Sequence, residues 1–343
     1  MKRTEISTYG EFGLIKHLTE KFKTVNSSTE KGVGDDAAIL NYEHKKVLVT
    51  TDLLLEGIHF DLTYVPLMHL GYKAAVVNFS DIYAMNGQPK QITVSLGISK
   101  RFSVEDLEEI YAGIQLACQN YGVDLIGGDT SASLTGLAIS ITCIGEGEEG
   151  KIVYRNGAKP NDLICVSGDL GSAYMGLQLL EREKTVFSGS KDAQPDFEGK
   201  DYILQRQLRP EARRDMIQQL HEKAILPTSM MDISDGLSSE LMHICSQSNV
   251  GCRVYEDRIP ISYEAAVMAE ELNLNIVTAA LNGGEDYELL FTVSMEDYDK
   301  VIAIDGIGIV GHITKPELGL NLVGRQEEEI ALKAQGWNSL NSD

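Results

Sequence analysis

The sequence has no hydrophobic run long enough to cross a membrane, although 43% of its 343 residues are hydrophobic. A membrane-spanning helix needs about 20 consecutive apolar residues. The first residues, MKRTEISTYGEFG, also lack the apolar core of a signal peptide. We therefore expect a soluble, cytoplasmic protein that does not associate with membranes.

Cysteine is scarce, and the five cysteines show no C-x-x-C spacing and no motif with histidine. This pattern excludes the common structural zinc sites. The odd number favours reduced thiols rather than a disulfide framework, as expected in the cytoplasm.

Basic residues are few, with 30 Lys and Arg against 51 Asp and Glu, so the formal net charge is −21. Binding to nucleic acid phosphates depends on clustered Lys and Arg. The charge balance therefore argues against nucleic acid as the main partner.

Several common catalytic motifs are missing as well. The chain has no G-x-x-x-x-G-K-[ST] loop, no H-R-D triplet and no G-x-S-x-G turn. These absences exclude P-loop NTPases, protein kinases and hydrolases with a nucleophile elbow. If the protein binds a nucleotide, metal ions have to neutralise the charge that a P-loop lysine neutralises elsewhere.

Five short blocks set acidic residues against glycine or hydroxyl residues, each beside an apolar run. They are 32–38 (GVGDDAA), 50–52 (TTD), 127–130 (GGDT), 232–236 (DISDG) and 283–287 (GGEDY). A carboxylate at the end of a buried strand is costly unless something neutralises it. Mg²⁺ takes one or two carboxylates and fills its other positions with water and phosphate oxygens. The blocks therefore predict a site where several metal ions hold phosphate groups.

Each block alone also fits a simpler interpretation. The acids of 32–38, 127–130 and 283–287 fit solvated turns, 50–52 fits a strand-end turn, and Ser234 or Asp235 fits a helix N-cap. At 127–130 we expect backbone amides to reach a phosphate after an apolar strand. At 285–286 we expect strand alternation to turn one acid towards a ligand and the other towards solvent.

Asp81 gives a more specific signal. At helical spacing it shares one face with Leu70, Ala74, Asn78 and Met85. An acid on a largely apolar face needs a partner. Either a metal ion or an arginine from the other domain would serve, and the metal is favoured.

Strands and helices alternate along the chain. Strands are predicted at 47–55, 91–98, 123–126, 136–144, 163–167, 230–233, 288–293 and 307–313. Helices are predicted at 66–86, 103–121 with Ser103 as its cap, 171–181, from Pro210 onwards and at 237–246, whereas 186–200 is predicted to be a loop. This alternation is typical of an α/β or α+β protein, and the glycine-rich segment 145–150 (GEGEEG) is the best candidate boundary.

Taken in order, these blocks resemble the thiamine-monophosphate kinase family of the aminoimidazole ribonucleotide synthetase superfamily. The similarity runs from 11–15 (EFGLI) to Trp337, and 78–81 (NFSD) and 155–160 (RNGAKP) lie between the acidic blocks. Each motif is weakly specific alone, whereas their order is highly specific.

The resemblance implies an α/β (α+β) architecture of two domains. Residues 1–149 would form an N-terminal mixed-sheet domain that binds ATP and Mg²⁺ and pairs with its copy in a homodimer. Residues 150–343 would form a C-terminal α/β domain. ATP and several Mg²⁺ ions would lie between the two domains.

Site residues are carried over by motif. The resemblance implies metal-binding positions at Asp35, Thr50, Thr51, Asp52, Asp81, Asp129, Asp232 and Asp235. It implies ATP contacts from Tyr111, Gly128, Asp129, Arg155 and Ser234. It implies contacts with thiamine phosphate from His59, Glu285 and Trp337.

The implied reaction is transfer of the γ-phosphoryl group of ATP to thiamine monophosphate, giving thiamine diphosphate, assisted by several Mg²⁺ ions. Two rival families fit poorly. Selenophosphate synthetase would need a reactive cysteine near the N-terminus, yet the first is Cys118, and the hydrogenase maturation factor uses a C-terminal cysteine, yet the chain ends NSLNSD. Aminoimidazole ribonucleotide synthetase and a non-catalytic nucleotide- or metal-binding module remain as alternatives.

Overall fold

The computed structural model describes Thr4 and residues 17–31, 39–43, 45–189 and 195–333. The chain divides into two compact units, one comprising 1–82 with 87–150 and the other comprising 83–86 with 151–343. Each unit has its own β-sheet, which confirms the predicted mixed α/β fold class.

The first unit is built on a four-stranded mixed sheet. Its strands are β3 (Lys46–Leu55), β4 (Gln88–Ile98), β5 (Asp124–Ala132) and β6 (Ala138–Gly147), in the order β3-β6-β4-β5. Strands β4 and β5 are parallel and the other neighbours are antiparallel. A short antiparallel pair, β1 (Thr29–Lys31) and β2 (Ile39–Leu40), precedes them.

Two 18-residue helices accompany this sheet, α1 (Leu67–Ala84) and α2 (Val104–Tyr121). Ser103 caps α2 as predicted, in a capping box with Asp106. The helices approach each other so closely that a Cβ atom at Gly113 would lie 1.9 Å from the carbonyl oxygen of Met68. Glycine is therefore required at this crossing by packing.

The register of the first sheet separates its two faces. Asp52, Ile141 and Val94 form one cross-strand row, in which Ile141 and Val94 are fully buried. The neighbouring row contains Leu53, Ser140, Ser95 and Asp129, and Leu53, Ser95 and Asp129 are exposed. Because side chains alternate along a strand, Asp52 and Asp129 lie on opposite faces of the sheet.

The second unit is built on a seven-stranded sheet. Its strands are β7 (Leu163–Ser167), β8 (Ser229–Asp232), β9 (Gly251–Tyr255), β10 (Leu289–Val293), β11 (Ile307–Thr314), β12 (Leu320–Val323) and β13 (Glu329–Ala331). Their order is β13-β12-β9-β11-β7-β10-β8, and only β9 and β12 pair in parallel among these neighbours. The central strands β7 and β10 are buried along their whole length.

Seven helices complete the second unit, and they are α3 (Ser172–Gly189), α4 (Asp201–Leu208), α5 (Arg214–Glu222), α6 (Leu237–Ser248), α7 (Tyr263–Glu271), α8 (Ile276–Asn282) and α9 (Tyr298–Val301) among the described residues. Helix α6 packs its Leu237, Leu241 and Ile244 into a core shared with β7, β9 and β11. This packing fixes the loop that leads from β8 into α6.

Several local predictions were wrong. No helix begins at Pro210, because α4 ends at Leu208 and α5 starts at Arg214. Helix α3 runs on to Gly189, so residues 186–189 are helical rather than part of a loop, and 190–194 lie outside the described residues. The segments 50–52 and 127–130 lie inside β3 and β5, not at strand ends, because their neighbours continue the pairing.

The five cysteines are all buried, and none of them takes part in a disulfide in this structure. None of the helices in the described ranges combines the length and apolar character that a membrane span requires.

We predict that Gly113→Ala destabilises the first unit by about 1–3 kcal/mol, because its methyl group has to displace backbone of α1. The melting temperature measured by calorimetry should fall by several degrees. Gly189→Ala is the matched control, since nothing lies within 4 Å of a Cβ atom there. Equal melting temperatures for the two variants would contradict the close helix contact.

Candidate active site

Three predicted metal-site residues meet in the first unit. Thr50 and Asp52 lie two residues apart on β3 and therefore share one face, and the Thr50 hydroxyl donates a hydrogen bond to Asp81 Oδ2 of α1. Cys143 of β6 lies beside both acids, and burial raises its pKa, with the charges of Asp81 and Asp52 adding to the effect. The structure thus brings Asp52 and Asp81 together.

Thr51, Gly128 and Asp129 are placed differently. The Thr51 hydroxyl donates to the Ile141 carbonyl at 3.1 Å and accepts from Thr142 at 3.1 Å. Asp129 is exposed on the face opposite Asp52. A Cβ atom at Gly128 would lie 2.1 Å from the Val94 carbonyl oxygen, so strand packing requires this glycine independently of any ligand.

His59 and Tyr111, two further residues of the first unit that were predicted to contact ligands, make contacts within the protein. His59 is exposed, and its Nδ1 accepts the backbone N–H of Leu55 at 3.0 Å. Tyr111 is buried in α2 and packs edge-on against Phe22, with ring centroids 6.3 Å apart. Burial raises the pKa of Tyr111 to about 12.

The second unit gathers a separate acidic group at the end of β8. Asp232 is the last residue of this strand and is only 5% exposed, whereas Ser234 and Asp235 are exposed in the following loop. Backbone bonds fix the loop to a neighbouring segment: Glu285 N–H donates to the Ser234 carbonyl at 2.7 Å, and Tyr287 N–H donates to the Ile233 carbonyl at 2.8 Å.

Glycine permits the path of this loop. Gly236 has φ 116° at the start of α6, and Gly284 has φ 69°. A Cβ atom at Gly284 would lie 2.4 Å from the Ser234 carbonyl oxygen. A side chain at either position would therefore push the acidic loop away from residues 281–285.

Neighbouring acids contribute to the raised pKa values of Asp235 and Glu240. Although Asp235 is exposed, partial desolvation of its carboxylate raises its pKa, and the charge of Glu285 adds to this, while His243 and Arg155 act in the opposite direction. Burial also raises the pKa of Glu240 to about 8, with the charges of Asp235 and Asp232 contributing. Carboxylates of like sign are thus held close together in the second unit.

Arg155 lies beside β8, the edge strand of the second sheet. The carbonyl oxygen of its neighbour Tyr154 accepts the backbone N–H of Met230 at 2.9 Å, so this segment is bonded to the outer edge of β8. Arg155 is exposed, and its positive charge acts on the pKa of Asp235. The second unit therefore brings Asp232, Ser234, Asp235 and Arg155 into one neighbourhood with Glu285.

Glu285 and Asp286 do not alternate as strand residues, because β10 begins only at Leu289. Glu285 has a left-handed backbone, with φ 63°, and its Oε1 accepts the Tyr287 hydroxyl at 3.0 Å. Asp286 turns inwards and accepts the backbone N–H groups of Gly171 and Ala173 at the start of α3. The sequence predicted that one of these two acids faces solvent. Asp286 instead points inwards and fixes the segment to the start of α3.

A buried ion network that the sequence analysis missed supports this segment. Glu288 is 2% exposed, and its carboxylate accepts hydrogen bonds from Ser167, Arg206 and Arg213. Arg206 also lies 3.7 Å from Asp286. Burial acts to lower the pKa of Arg206, but the charges of Glu288 and Asp286 raise it above its usual value. In the sequence, the only hint of this network was the group of acidic residues in 285–288 (EDYE).

Among the described residues, no three His, Cys, Asp or Glu side chains are arranged as a complete metal site. The predicted ligands are divided between the two units, and Asp35 lies outside the described residues, as does Trp337 of the predicted substrate site. The site assignments therefore stay predictions.

Comparison with protein families gives a match to each unit. The family described as AIR synthase related protein, N-terminal domain, matches residues 34–146, and its C-terminal domain matches residues 159–313. The two-domain architecture thus defines the class of protein.

Individual relatives narrow the class. The chain is 38% identical over 301 residues to the thiamine-monophosphate kinase of Aquifex aeolicus (strain VF5), covering 88% of this chain and 91% of that protein. It is 35% identical over 340 residues to the thiamine-monophosphate kinase of Bacillus subtilis (strain 168), covering 96% and 98%. A solved structure described as AaThiL complexed with AMPPCP and TMP matches with a TM-score of 0.74 and 32% identity, covering 98% of this chain and 99% of that one.

The chain therefore belongs to the thiamine-monophosphate kinase family of the AIR synthase related proteins. It is an enzyme of the kinase class, as the sequence analysis predicted.

We predict that Glu288→Gln lowers the free energy of unfolding by about 3 kcal/mol, because Arg206 and Arg213 lose the buried carboxylate between them. Urea denaturation measures this change. Glu296→Gln, an exposed acid beside α9, should change stability by less than about 0.5 kcal/mol. A similar small effect for Glu288→Gln would contradict the importance of the network.

Proposed function

We propose that the protein transfers the γ-phosphoryl group of ATP to the phosphate of thiamine monophosphate, giving thiamine diphosphate. One observation carries the proposal: the similarity to the structure described as complexed with AMPPCP and TMP extends over 98% of this chain. The acidic loop 232–235 beside Arg155 supports it, because such a loop suits metal-bound phosphates.

Mg²⁺ fits the residues that are present. The acid groups of both units offer hard oxygen donors, which Mg²⁺ prefers. Asp232 is nearly fully buried, and the pKa values of Asp235 and Glu240 are raised, so the group as a whole favours added positive charge. In this proposal Asp52 and Asp81 with Thr50 would hold Mg²⁺ in the first unit, and Asp232 and Asp235 would hold Mg²⁺ in the second. Thr51 and Asp129 lie on the other face of the first sheet, so any Mg²⁺ that they hold would be a different ion, and Asp35 lies outside the described residues.

The chemistry does not require a general base. A phosphate monoester has a second pKa of about 6 and is already mostly dianionic at neutral pH. The main obstacle is repulsion between two anionic reactants, which for one pair of unit charges 4 Å apart is roughly 4 kcal/mol at an effective dielectric constant of 20. When bound, Mg²⁺ supplies positive charge that offsets this repulsion and aligns the reactants.

The chain's own residues then bind and orient the two substrates. Arg155 would pair with an ATP phosphate, and the Ser234 hydroxyl and the Gly128 and Asp129 region would contact ATP, with Tyr111 as a further contact. His59 and Glu285 would contact thiamine phosphate. Trp337 would face the cationic thiazolium, an interaction worth about 0.5–2 kcal/mol.

We further propose a homodimer formed through the first domain, taken as residues 1–149, with 150–343 as the second domain. Val47, Val49 and Leu53 lie on one face of β3, and each is about half exposed or more. Such an apolar row on a strand supports pairing with a second copy. Cytoplasmic location also stays a prediction.

Two alternative functions predict different results when the protein is incubated with ATP, Mg²⁺ and thiamine monophosphate. An aminoimidazole ribonucleotide synthetase would not use thiamine monophosphate as the phosphate acceptor. A non-catalytic nucleotide-binding module would bind ATP and Mg²⁺ without turnover. The thiamine-monophosphate kinase names of the relatives at 38% and 35% identity favour the kinase.

We predict that purified protein incubated with ATP, Mg²⁺ and thiamine monophosphate forms thiamine diphosphate, because the chain is similar over nearly its whole length to a structure described as complexed with AMPPCP and TMP. Chromatography of the products measures the reaction, and a parallel incubation with EDTA should give no product. Absence of Mg²⁺-dependent thiamine diphosphate would remove the kinase proposal.

We predict that Asp52→Asn and Asp232→Asn each lower kcat/KM by at least about 100-fold, because each removes a charge that holds Mg²⁺. Stability should change little, since each variant also removes a negative charge from a group of like charges. Steady-state kinetics and thermal melting measure the two effects.

Asp299→Asn is the control for both variants, since Asp299 is an exposed acid of α9. It should keep the activity and stability of the unmodified protein. If Asp52→Asn and Asp232→Asn also keep full activity, the metal assignment is wrong.

A further inference from the structure

Glu240 is a buried acid that neither the sequence motifs nor the family comparison singled out. It lies in the first turn of α6 and is only 1% exposed. Its Oε1 accepts the backbone N–H of Asp235 at 3.0 Å. Its other oxygen, Oε2, is buried and has no hydrogen-bond partner among the described residues.

The bond from Asp235 does not serve as an ordinary helix cap. Gly236 is the N-cap of α6 and provides no side-chain cap, and the donor N–H belongs to the residue before it. In α7, by contrast, the Ser262 side chain accepts the N–H of Ala265 within the first turn. Glu240 therefore fixes the loop that precedes α6.

Stability alone does not account for a carboxyl group at this position. Burying an acid is costly, and leaving one of its oxygens without a partner adds to the cost. The neighbouring charges of Asp232 and Asp235 increase the cost further. A buried apolar side chain would fill the same space without these penalties, but it could not accept the Asp235 N–H.

Apart from the bond to Glu240, the described backbone hydrogen bonds hold residues 233–234 of this loop only to the segment 285–288. Ile233 and Ser234 are tied to 285–288 through the N–H groups of Glu285, Tyr287 and Ile233 itself. Glu240 provides the bond at Asp235, on the side of α6. The two sets of bonds together determine how the side chains of Asp232 and Asp235 are presented.

We propose that Glu240 is a positioning residue, which holds the Asp235 backbone so that the Asp232 and Asp235 carboxylates face Mg²⁺ and phosphate. This inference rests on the proposed function of the site. Glu240 acts through Asp235 and contacts neither substrate. It is the accepting oxygen, and not the negative charge, that carries the role.

The test compares Glu240→Met, which removes the acceptor at similar size, with Glu240→Gln, which keeps it. Hydrogen exchange of the peptide spanning 233–237 should quicken at least about 10-fold in Glu240→Met, because the Asp235 N–H loses its partner. The Mg²⁺ concentration for half-maximal activity should rise about 10–100-fold in the same variant. Glu240→Gln should stay within about 3-fold of the unmodified protein in both measurements, since its amide oxygen accepts the same bond.

Glu264→Met is the matched control, since Glu264 is an exposed acid in the first turn of α7. It should leave both measurements unchanged. If Glu240→Met does not fold, Glu240→Asp replaces it, because the shorter side chain draws the acceptor away from Asp235 while keeping a buried acid. We expect the same two changes in that variant.

Unchanged exchange and Mg²⁺ dependence in the variant without the acceptor would overturn the proposal. Equal impairment of Glu240→Gln would also overturn it, because the charge would then matter rather than the bond. If the unmodified protein forms no thiamine diphosphate, the proposed function fails separately. The exchange measurement, and stabilisation against heat by Mg²⁺ alone, would still decide the role of Glu240.

Discussion

The arrangement of the second unit depends on holding carboxylates of like sign close together in a partly buried loop. Partial desolvation raises the pKa of Asp235 and the charge of Glu285 adds to the effect, so the folded loop carries an electrostatic cost. The loop cannot relax into solvent, because its backbone is bonded to 285–288 and to Glu240. Backbone hydrogen bonds thus hold the loop in a conformation that repulsion between its carboxylates disfavours.

The buried ion network follows from the same constraint. The segment 283–288 can hold the acidic loop only if it is itself fixed, and Glu288 and Asp286 fix it from inside. Glu288 binds Arg206, Arg213 and Ser167, while Asp286 binds backbone N–H groups at the start of α3. Within one motif, two acids are therefore internal anchors and Glu285 remains at the surface of the site.

The sequence predicted the fold class, most strand positions and the acidic blocks, because these depend on local hydrophobic pattern and on residue type. It failed at Pro210, which lies in the connection between the end of α4 at Leu208 and the start of α5 at Arg214. It also failed for 127–130, because strand pairing with β4 continues through glycines that usually end a strand. Asp52 and Asp129 lie on opposite faces of the first sheet because of the pairing register of its strands. The hydrophobic pattern of a single strand does not reveal that register.

Glu240 shows why part of a site is invisible in sequence. A glutamate in the first turn of a helix is common, since it interacts favourably with the helix dipole. Only the structure shows that this side chain is buried and reaches back to the Asp235 N–H rather than to solvent. The same holds for Thr50, whose hydrogen bond to Asp81 joins a strand to a helix 31 residues further along the chain. Residues that touch a substrate can be found by motif, whereas residues that hold them in place are found from the contacts they make.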